Sequence, residues 1–524
     1  MGFQFTNNWP YTNSVMPSLI DHVDPVNQTF FDGLKNELTN IEYFLGLQPQ
    51  GSYANVRSRL DYFETTFGKK FASCVVSPSG ANADYSSIQD AINYVGALGG
   101  GIIYLREGTY YLTAALTNTS YSKILFFGSG KNTIITSNSA LTLLIDFNFA
   151  SGSGSHLFFE HITFDGNSGL AGTNRLVYIR NFDYVTFNNC YFKNCNGSGL
   201  RAENGSYFLT NNCRFDTIVA YAVEYTSSMT YAIITNSRFV SASSGFNSVI
   251  FDGNYCTLAD CIFLTCYQGP YSSGLYNTVR NCTFQSMTHQ PVTNAGYHFT
   301  CISNNFLGIY ANSIQTTGLY SYIANNRFIG CTYIPILCNA NYSIIFNNFI
   351  DGSGTYAISI SGASISVLNN RIVSSASHAI YVDHCNLCNV NNNFINSSAD
   401  SGIYIYYSSD ISISSNVVRN CTHQGIYLRA SSTCSLSSNI VRDNCTAGTN
   451  YSEIYLYTVG VDYCYYNNIC GNVIKTILGD YCLAENNSDS KFNVHVSNTL
   501  IGGTLGSYSL FGTDDIIEHN MLKR

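Results

Sequence analysis

Ser321-Tyr-Ile-Ala-Asn-Asn-Arg-Phe328, Ser343-Ile-Ile-Phe-Asn-Asn-Phe349, Ser366-Val-Leu-Asn-Asn-Arg-Ile372 and Asn389-Val-Asn-Asn-Asn-Phe394 are variants of one phrase. Each alternates apolar and polar residues, closes on Asn-Asn and ends at a large apolar anchor. Followed outward, the anchors run Phe164, Phe192, Phe215, Phe239, Phe263, Phe284, Phe306, Phe328, Phe349, Ile372, Phe394, Val418 and Ile440, spaced 21 to 28 residues apart and mostly near 22. Two-residue alternation belongs to strands, and about 22 residues hold three short strands with their turns. A leucine-rich repeat has a similar period but needs a Leu-x-x-Leu-x-Leu spacing and a helical half, and a propeller blade needs about 40 residues. The phrase therefore predicts an all-β right-handed parallel β-helix. One coil cannot bury its apolar face alone, so like positions stack into a continuous core at about 4.8 Å per coil. The Asn pairs predict an Asn ladder, with residues that tolerate left-handed turns and amides that bond to one another.

Composition agrees with a solenoid. Charged residues make up 11% of the 524, against about 25% in an average domain. With 14% aromatic residues the chain is unlike a disordered one. Net charge is −8 without a basic block, which argues against a nucleic-acid partner. No apolar run is long enough for a membrane helix, and Met1–Ser14 lacks the pattern of a secretory signal. The 19 cysteines do not form a disulfide-scaffold pattern. Cys190, Cys213, Cys261 and Cys282 each stand two residues before a Phe, which predicts an interior column of small hydrophobes. Cys385-x-x-Cys388 beside His384 is half of a zinc motif and lacks the other half.

Four segments follow. Residues 1–70 form a helical module, 71–150 open the β-helix with a capping helix, 151–485 are the β-helix proper, and 486–524 form a C-terminal coil and cap. In the opening segment Asp84 or Ser86 caps a helix with Ile88, Ile92 and Val95 on one face. A helix there would cover the first coil's exposed edge. Gly80-Ala81, Asp84-Tyr85, Ile88-Gln89, Ala91-Ile92, Gly99-Gly100, Leu105 and Gly108-Thr-Tyr110 resemble the opening of the pectate-lyase-like β-helix superfamily, with Arg106 where that family commonly has Pro. The resemblance covers roughly 400 residues and implies the fold more specifically than any reaction.

The module carries an amphipathic helix over 26–45 and a second helix over 53–67. Asn27, Phe30, Phe31, Leu34, Glu37, Leu38, Leu45, Gly46, Pro49, Gly51, Ser52, Tyr53, Val56, Arg59 and Leu60 are similar to a short leader of virion-associated proteins of tailed phages. An ordinary two-helix cap is the alternative. Leader and solenoid together resemble a tailspike or receptor-binding fibre. That implies a homotrimer on the virion surface, joined to a virion protein by the module and facing a host-surface glycan.

Candidate chemistry lies where charges stack. Aligned by the distance to the next anchor, Arg180, Glu203, Glu224 and Asp252 fall at one outward register of consecutive coils. Neighbours would lie at about 5 Å and alternate coils at about 10 Å, against about 5–5.5 Å between the two carboxyls of a retaining glycosidase and about 6.5–9.5 Å in an inverting one. Two of Glu203, Glu224 and Asp252 would then act as acid and base, while Arg180 and Arg201 orient a substrate carboxylate. Two other readings stand beside this one: an acidic stripe neutralised by the arginines, and a calcium site with no other cofactor or metal. Tyr381, Tyr404, Tyr427 and Tyr455 form a second outward column, with Tyr406 and Tyr457 beside it, as a sugar platform or a subunit contact. His378, His384 and His423 near turns read as solvated or capping residues. The function expected is a spike that binds a host polysaccharide and, in the catalytic reading, depolymerises it. The alternatives are an adhesive fibre without chemistry and a free polysaccharide lyase or hydrolase. The last lacks the Asp-Asp and Arg-Pro-x-x-Arg constellations of pectate lyases.

Overall fold

The computed structural model describes residues 72–150, 155–167, 175–241, 245–448, 450–460, 462–486, 490–510 and 514–523. The expected helices at 26–45 and 53–67, and the leader residues with them, lie outside the described residues. The solenoid belongs to one compact unit, Cys74–Arg524. Among the described residues no helix is long and apolar enough to cross a membrane.

Each coil is three short strands, as in Ile380–Asp383, Asn389–Asn391 and Phe394–Asn396, followed by Ile403–Tyr406, Ser412–Ser414 and Val417–Arg419. Every named strand pairs in parallel with its counterpart on the neighbouring coil, as in Ile380↔Ile403, Asn389↔Ser412 and Phe394↔Val417. The ladder built from the third strands holds eighteen members. Helix α1 (Ile88–Ala97) buries Ile88, Ala91, Ile92 and Val95 against the first coils. Its cap corrects the expectation: Ser87 accepts from Asp90 N, while Asp84 turns away and accepts from Val75 N at 2.9 Å.

The two members of each Asn pair divide the work. The first takes the left-handed turn, with φ of 57°, 53°, 57° and 59° at Asn325, Asn347, Asn369 and Asn392. The second points inward. Asn304, Asn326, Asn348, Asn370, Asn393, Asn416, Asn439, Asn472, Asn498 and Asn520 form an unbroken ladder, each Nδ2 donating to the next Oδ1 at 2.9–3.1 Å. Each Oδ1 also accepts the backbone N–H of the previous Asn, as Asn393 does from Asn370 at 2.9 Å. The remaining Nδ2 hydrogen reaches a carbonyl one coil back, as from Asn348 to Ile323 O. Buried amides are thus satisfied without charge. Towards the N-terminus the column continues as Cys282, Cys261, Ser237, Cys213 and Cys190, the expected interior column, all buried. The cysteines are unpaired thiols, all buried except Cys470.

Three anchors are corrected by one residue. From Asn304 to Asn498 the buried residue is two beyond the ladder Asn, so Phe328 pairs with Ile350, Ile372 with Ile395, and Val418 with Val441. Phe349, Phe394 and Ile440 face outward. A shift of one residue reverses a strand side chain's face. The aromatic rings of Phe349 and Phe394 lie 5.9 and 5.4 Å from the Arg371 guanidinium that stacks on both, which explains large apolar residues on that side.

Candidate functional site

The strands Arg175–Asn188, Ser198–Asn211, Val223–Tyr225, Asn247–Phe251 and Gln268–Ser272 lie side by side. Their register separates the acids expected in one column. Arg180 pairs with Glu203, but Glu224 pairs with Arg201 and then with Ile250. One outward column is Asp146, Tyr178, Arg201, Glu224, Ile250 and Tyr271. The other is Asn148, Arg180, Glu203, then Thr226 and Asp252, since Ala202 pairs with Tyr225 and Tyr225 with Phe251. The expectation of Arg180, Glu203, Glu224 and Asp252 at one register is therefore wrong for Glu224. Residues two apart on a strand share a face, and the turns after these strands differ in length. Distance to the next anchor cannot choose between two equivalent outward columns.

The arginines are engaged by protein carboxylates. Arg201 Nη1 lies 3.0 Å from Glu224 Oε1, and its Nη2 lies 3.6 Å from Glu203 Oε2. Arg180 pairs with Asp146, and Tyr178 OH donates to Glu203. Three guanidiniums surround the Tyr178 ring: Arg180 at 4.4 Å, Arg175 at 5.1 Å and Arg201 at 5.3 Å. Glu203 is thereby tied into an ion-pair and hydrogen-bond network.

Glu224 and Asp252 are placed differently. Together with Tyr221, Asn247, Ile250 and Tyr271 they line an open depression of about 260 Å³. Burial raises the Glu224 carboxyl above the usual range. The Asp252 charge adds to this, while Arg201, Arg175 and a hydrogen bond from Ser198 pull it down. Asp252 accepts from Ser273 Oγ at 2.6 Å. Burial, then Glu224 and Asp252, also raise the Tyr221 phenol. One carboxyl biased towards its acid form beside a second that accepts a hydrogen bond is an acid and base arrangement. The sequence reading missed Tyr221, Tyr271 and Asn247, although Tyr271 has the outward register of Glu224. Calcium has the same carboxylates available as before, but Arg201 already supplies positive charge to Glu203 and Glu224.

The tyrosine column is as expected in register: Tyr381, Tyr404, Tyr427 and Tyr455 pair in turn, with ring centroids 5.4, 4.9 and 5.7 Å apart. Tyr406 and Tyr457 flank Arg429, which stacks on both. Tyr404 is buried. The rings turn their faces largely to one another, so the column presents mostly edges and hydroxyls. A longer column escaped the sequence reading. Tyr184, Tyr207, Tyr231, Tyr255, Tyr276, His298, Tyr320 and Tyr342 stack at 4.6–5.2 Å with interplanar angles of 3–16°. Its signal was there, since these residues recur at the coil period.

His378 is buried rather than solvated, and burial lowers it to about 4, leaving it neutral at pH 7. His423 Nδ1 lies 2.8 Å from Asp400 Oδ1, and His384 Nδ1 lies 2.6 Å from Asp383 Oδ1. Cys385 and Cys388 lie close enough for a thiol hydrogen bond, but among the described residues they gather no third metal ligand.

The model of a family described as "Right handed beta helix region" matches residues 75–239, 307–460 and 356–520. No curated protein matches the sequence. Among solved structures the chain is similar to the A-module of a mannuronan C-5 epimerase from Azotobacter vinelandii, at 14% identity over 83% of this chain and 94% of that one, with a TM-score of 0.28. It is similar to tailspike protein 3 of bacteriophage CBA120, at 12% identity over 77% and 66%, with a TM-score of 0.39. A tailspike double mutant of E. coli bacteriophage HK620 matches at 13% identity over 81% and 74%, with a TM-score of 0.35.

Proposed function

The chain belongs to the right-handed β-helix family, and on that premise we propose that its flank binds a host-surface polysaccharide and cleaves it at Glu224 and Asp252. The observation that carries this reading is the raised carboxyl of Glu224 beside Asp252 in an open depression with two tyrosines in its wall. Glu224 would give its proton to the glycosidic oxygen as the bond breaks, and Asp252 would take a proton from the attacking water. The pair stands one coil and two residues apart, about 8 Å between Cα atoms from strand geometry. Carried to side chains projecting side by side, that spacing falls within the roughly 6.5–9.5 Å of an inverting hydrolase. Glu203 is the positioning residue for Arg201 in this scheme, and Tyr221 and Tyr271 wall the sugar site.

In the same reading the chain is a homotrimeric spike on a virion surface, joined to a virion protein through residues 1–70. The leader residues Asn27 to Leu60 support that placement by their similarity to virion-associated proteins of tailed phages. A second reading, adhesion without cleavage, is favoured by one observation: Arg201 is shared between Glu203 and Glu224, as in a structural ion-pair stripe.

The test is release of reducing ends from purified bacterial capsule and O-antigen polysaccharides. Wild-type chain should release them, and Glu224→Gln and Asp252→Asn should each lower the rate by about 10²–10⁴-fold. Undiminished cleavage by both variants removes the assignment of these residues. Retained glycan binding with no cleavage by wild-type chain establishes the adhesive reading instead.

A further inference from the structure

Near the end of the solenoid two aliphatic columns and one amide column change character together. The column Val382, Ile405, Leu428 and Leu456 ends in Glu485. The column Val390, Ile413, Leu436 and Ile469 passes to His495 before returning to Ile517. The polar column Cys434, Asn467 and Asn493 passes to Asp515, whose Oδ1 accepts Asn493 N–H at 2.8 Å. The three replacements meet. Their ligand atoms all lie within 4.8 Å of one another, and no other such trio of His, Cys, Asp or Glu exists among the described residues.

Glu485 and His495 are fully buried, with Nε2 3.0 Å from Glu485 Oε1. Asn493 Nδ2 donates to the same Oε1 at 3.1 Å, fixing its direction. His495 Nδ1 and Asp515 Oδ2 are buried and have no hydrogen-bond partner among the described residues.

We propose that Glu485, His495 and Asp515 form a divalent transition-metal site, of the zinc type, inside the last coils. Imidazole nitrogen with two carboxylate oxygens suits zinc and its first-row neighbours, whereas calcium and magnesium take six or more oxygens. Ligands at about 2.1 Å from one ion lie no more than about 4.2 Å apart, so the trio needs only a small contraction to close on it. The role is structural: the ion ties the last two coils together where the solenoid ends, with Glu485 and His495 on one and Asp515 on the next.

The test uses the full chain without an affinity tag, stripped with EDTA and dialysed against zinc chloride, with manganese chloride in a parallel sample. Bound metal is counted by mass spectrometry and the melting temperature is recorded. Two variants restore what the columns carry elsewhere and should fold: Asp515→Asn matches Asn467 and Asn493, and His495→Ile matches Ile469. Wild-type chain should hold one metal ion and melt roughly 3 °C higher at a hundredfold excess over Kd. Both variants should lose the ion and the shift. Wild-type chain without metal from both dialyses, or variants that retain it at the same stoichiometry, overturn the site.

Discussion

Glu453 offers a titration that the interior itself should report. It lies fully buried on the strand Ser452–Tyr457 and ends a hydrogen-bonded run. Cys421 N donates to Asn444 Oδ1, and Asn444 donates from N and Nδ2 to the two Glu453 oxygens at 2.9 and 2.6 Å. Burial pushes the carboxyl from an ordinary 4.5 up to about 8, against hydrogen bonds from Asn444 that pull the other way. Below pH 4.5 the folded and unfolded chains both hold the proton. Between 4.5 and about 8 the unfolded chain has released a proton that the folded chain keeps, so stability falls as pH rises. At about 1.4 kcal/mol per pH unit the loss across that window reaches about 5 kcal/mol. For a unit of some 450 residues, 1 kcal/mol moves Tm by about 1 °C, so the effect is about 5 °C. Glu453→Gln removes the titration while keeping the contacts. One amide oxygen can take both donors, as Asn416 Oδ1 takes N and Nδ2 of Asn393 at 2.9 and 3.0 Å. Thermal melts of both chains should coincide near pH 4.5 and separate by about 5 °C at pH 8, with the variant higher. A separation that does not change with pH, or a wild-type chain more stable at pH 8, refutes the reasoning.

Other outcomes follow from the same geometry. Asn393→Ala should cost about 2–4 kcal/mol in guanidinium denaturation, because it strands donors of Asn370 and the carbonyl of Val367. Ile350→Ser should cost about 3 kcal/mol or more and Phe349→Ser about 1 kcal/mol or less by the same measurement, since only Ile350 is buried. Equal costs would contradict the register. Arg201→Met removes a charge that holds the Glu224 carboxyl down, so the alkaline limb of any pH–cleavage profile should move to higher pH.

Much of the fold was legible because a solenoid repeats its instructions. Alternation marks strands, Asn-Asn marks the turn, and the Cys-x-Phe strings mark the same interior column. Residues 71–110 carried the opening helix by its apolar spacing, although Ser87 and not Asp84 or Ser86 is the cap. Even the one-residue errors at Phe349, Phe394 and Ile440 have a sequence remedy, since counting from the ladder Asn rather than from the largest side chain gives the buried residue.

The amino-acid order by itself determined the coil, its period and the low charge. Stacking at about 4.8 Å puts like residues in contact, which favours amide, hydroxyl and ring ladders over repeated ions. It also pointed to Glu203, Glu224 and Asp252 as unusual acids. Only the tertiary structure decided which of them meet. Two outward positions per strand are equivalent in a two-residue alternation, and turns of unequal length shift one coil against the next. Register therefore placed Arg201 between Glu203 and Glu224, and put Glu224 and Asp252 in one depression. The same holds for Glu485, His495 and Asp515. They come from three different columns, and it is the closure of the coil that brings the columns face to face.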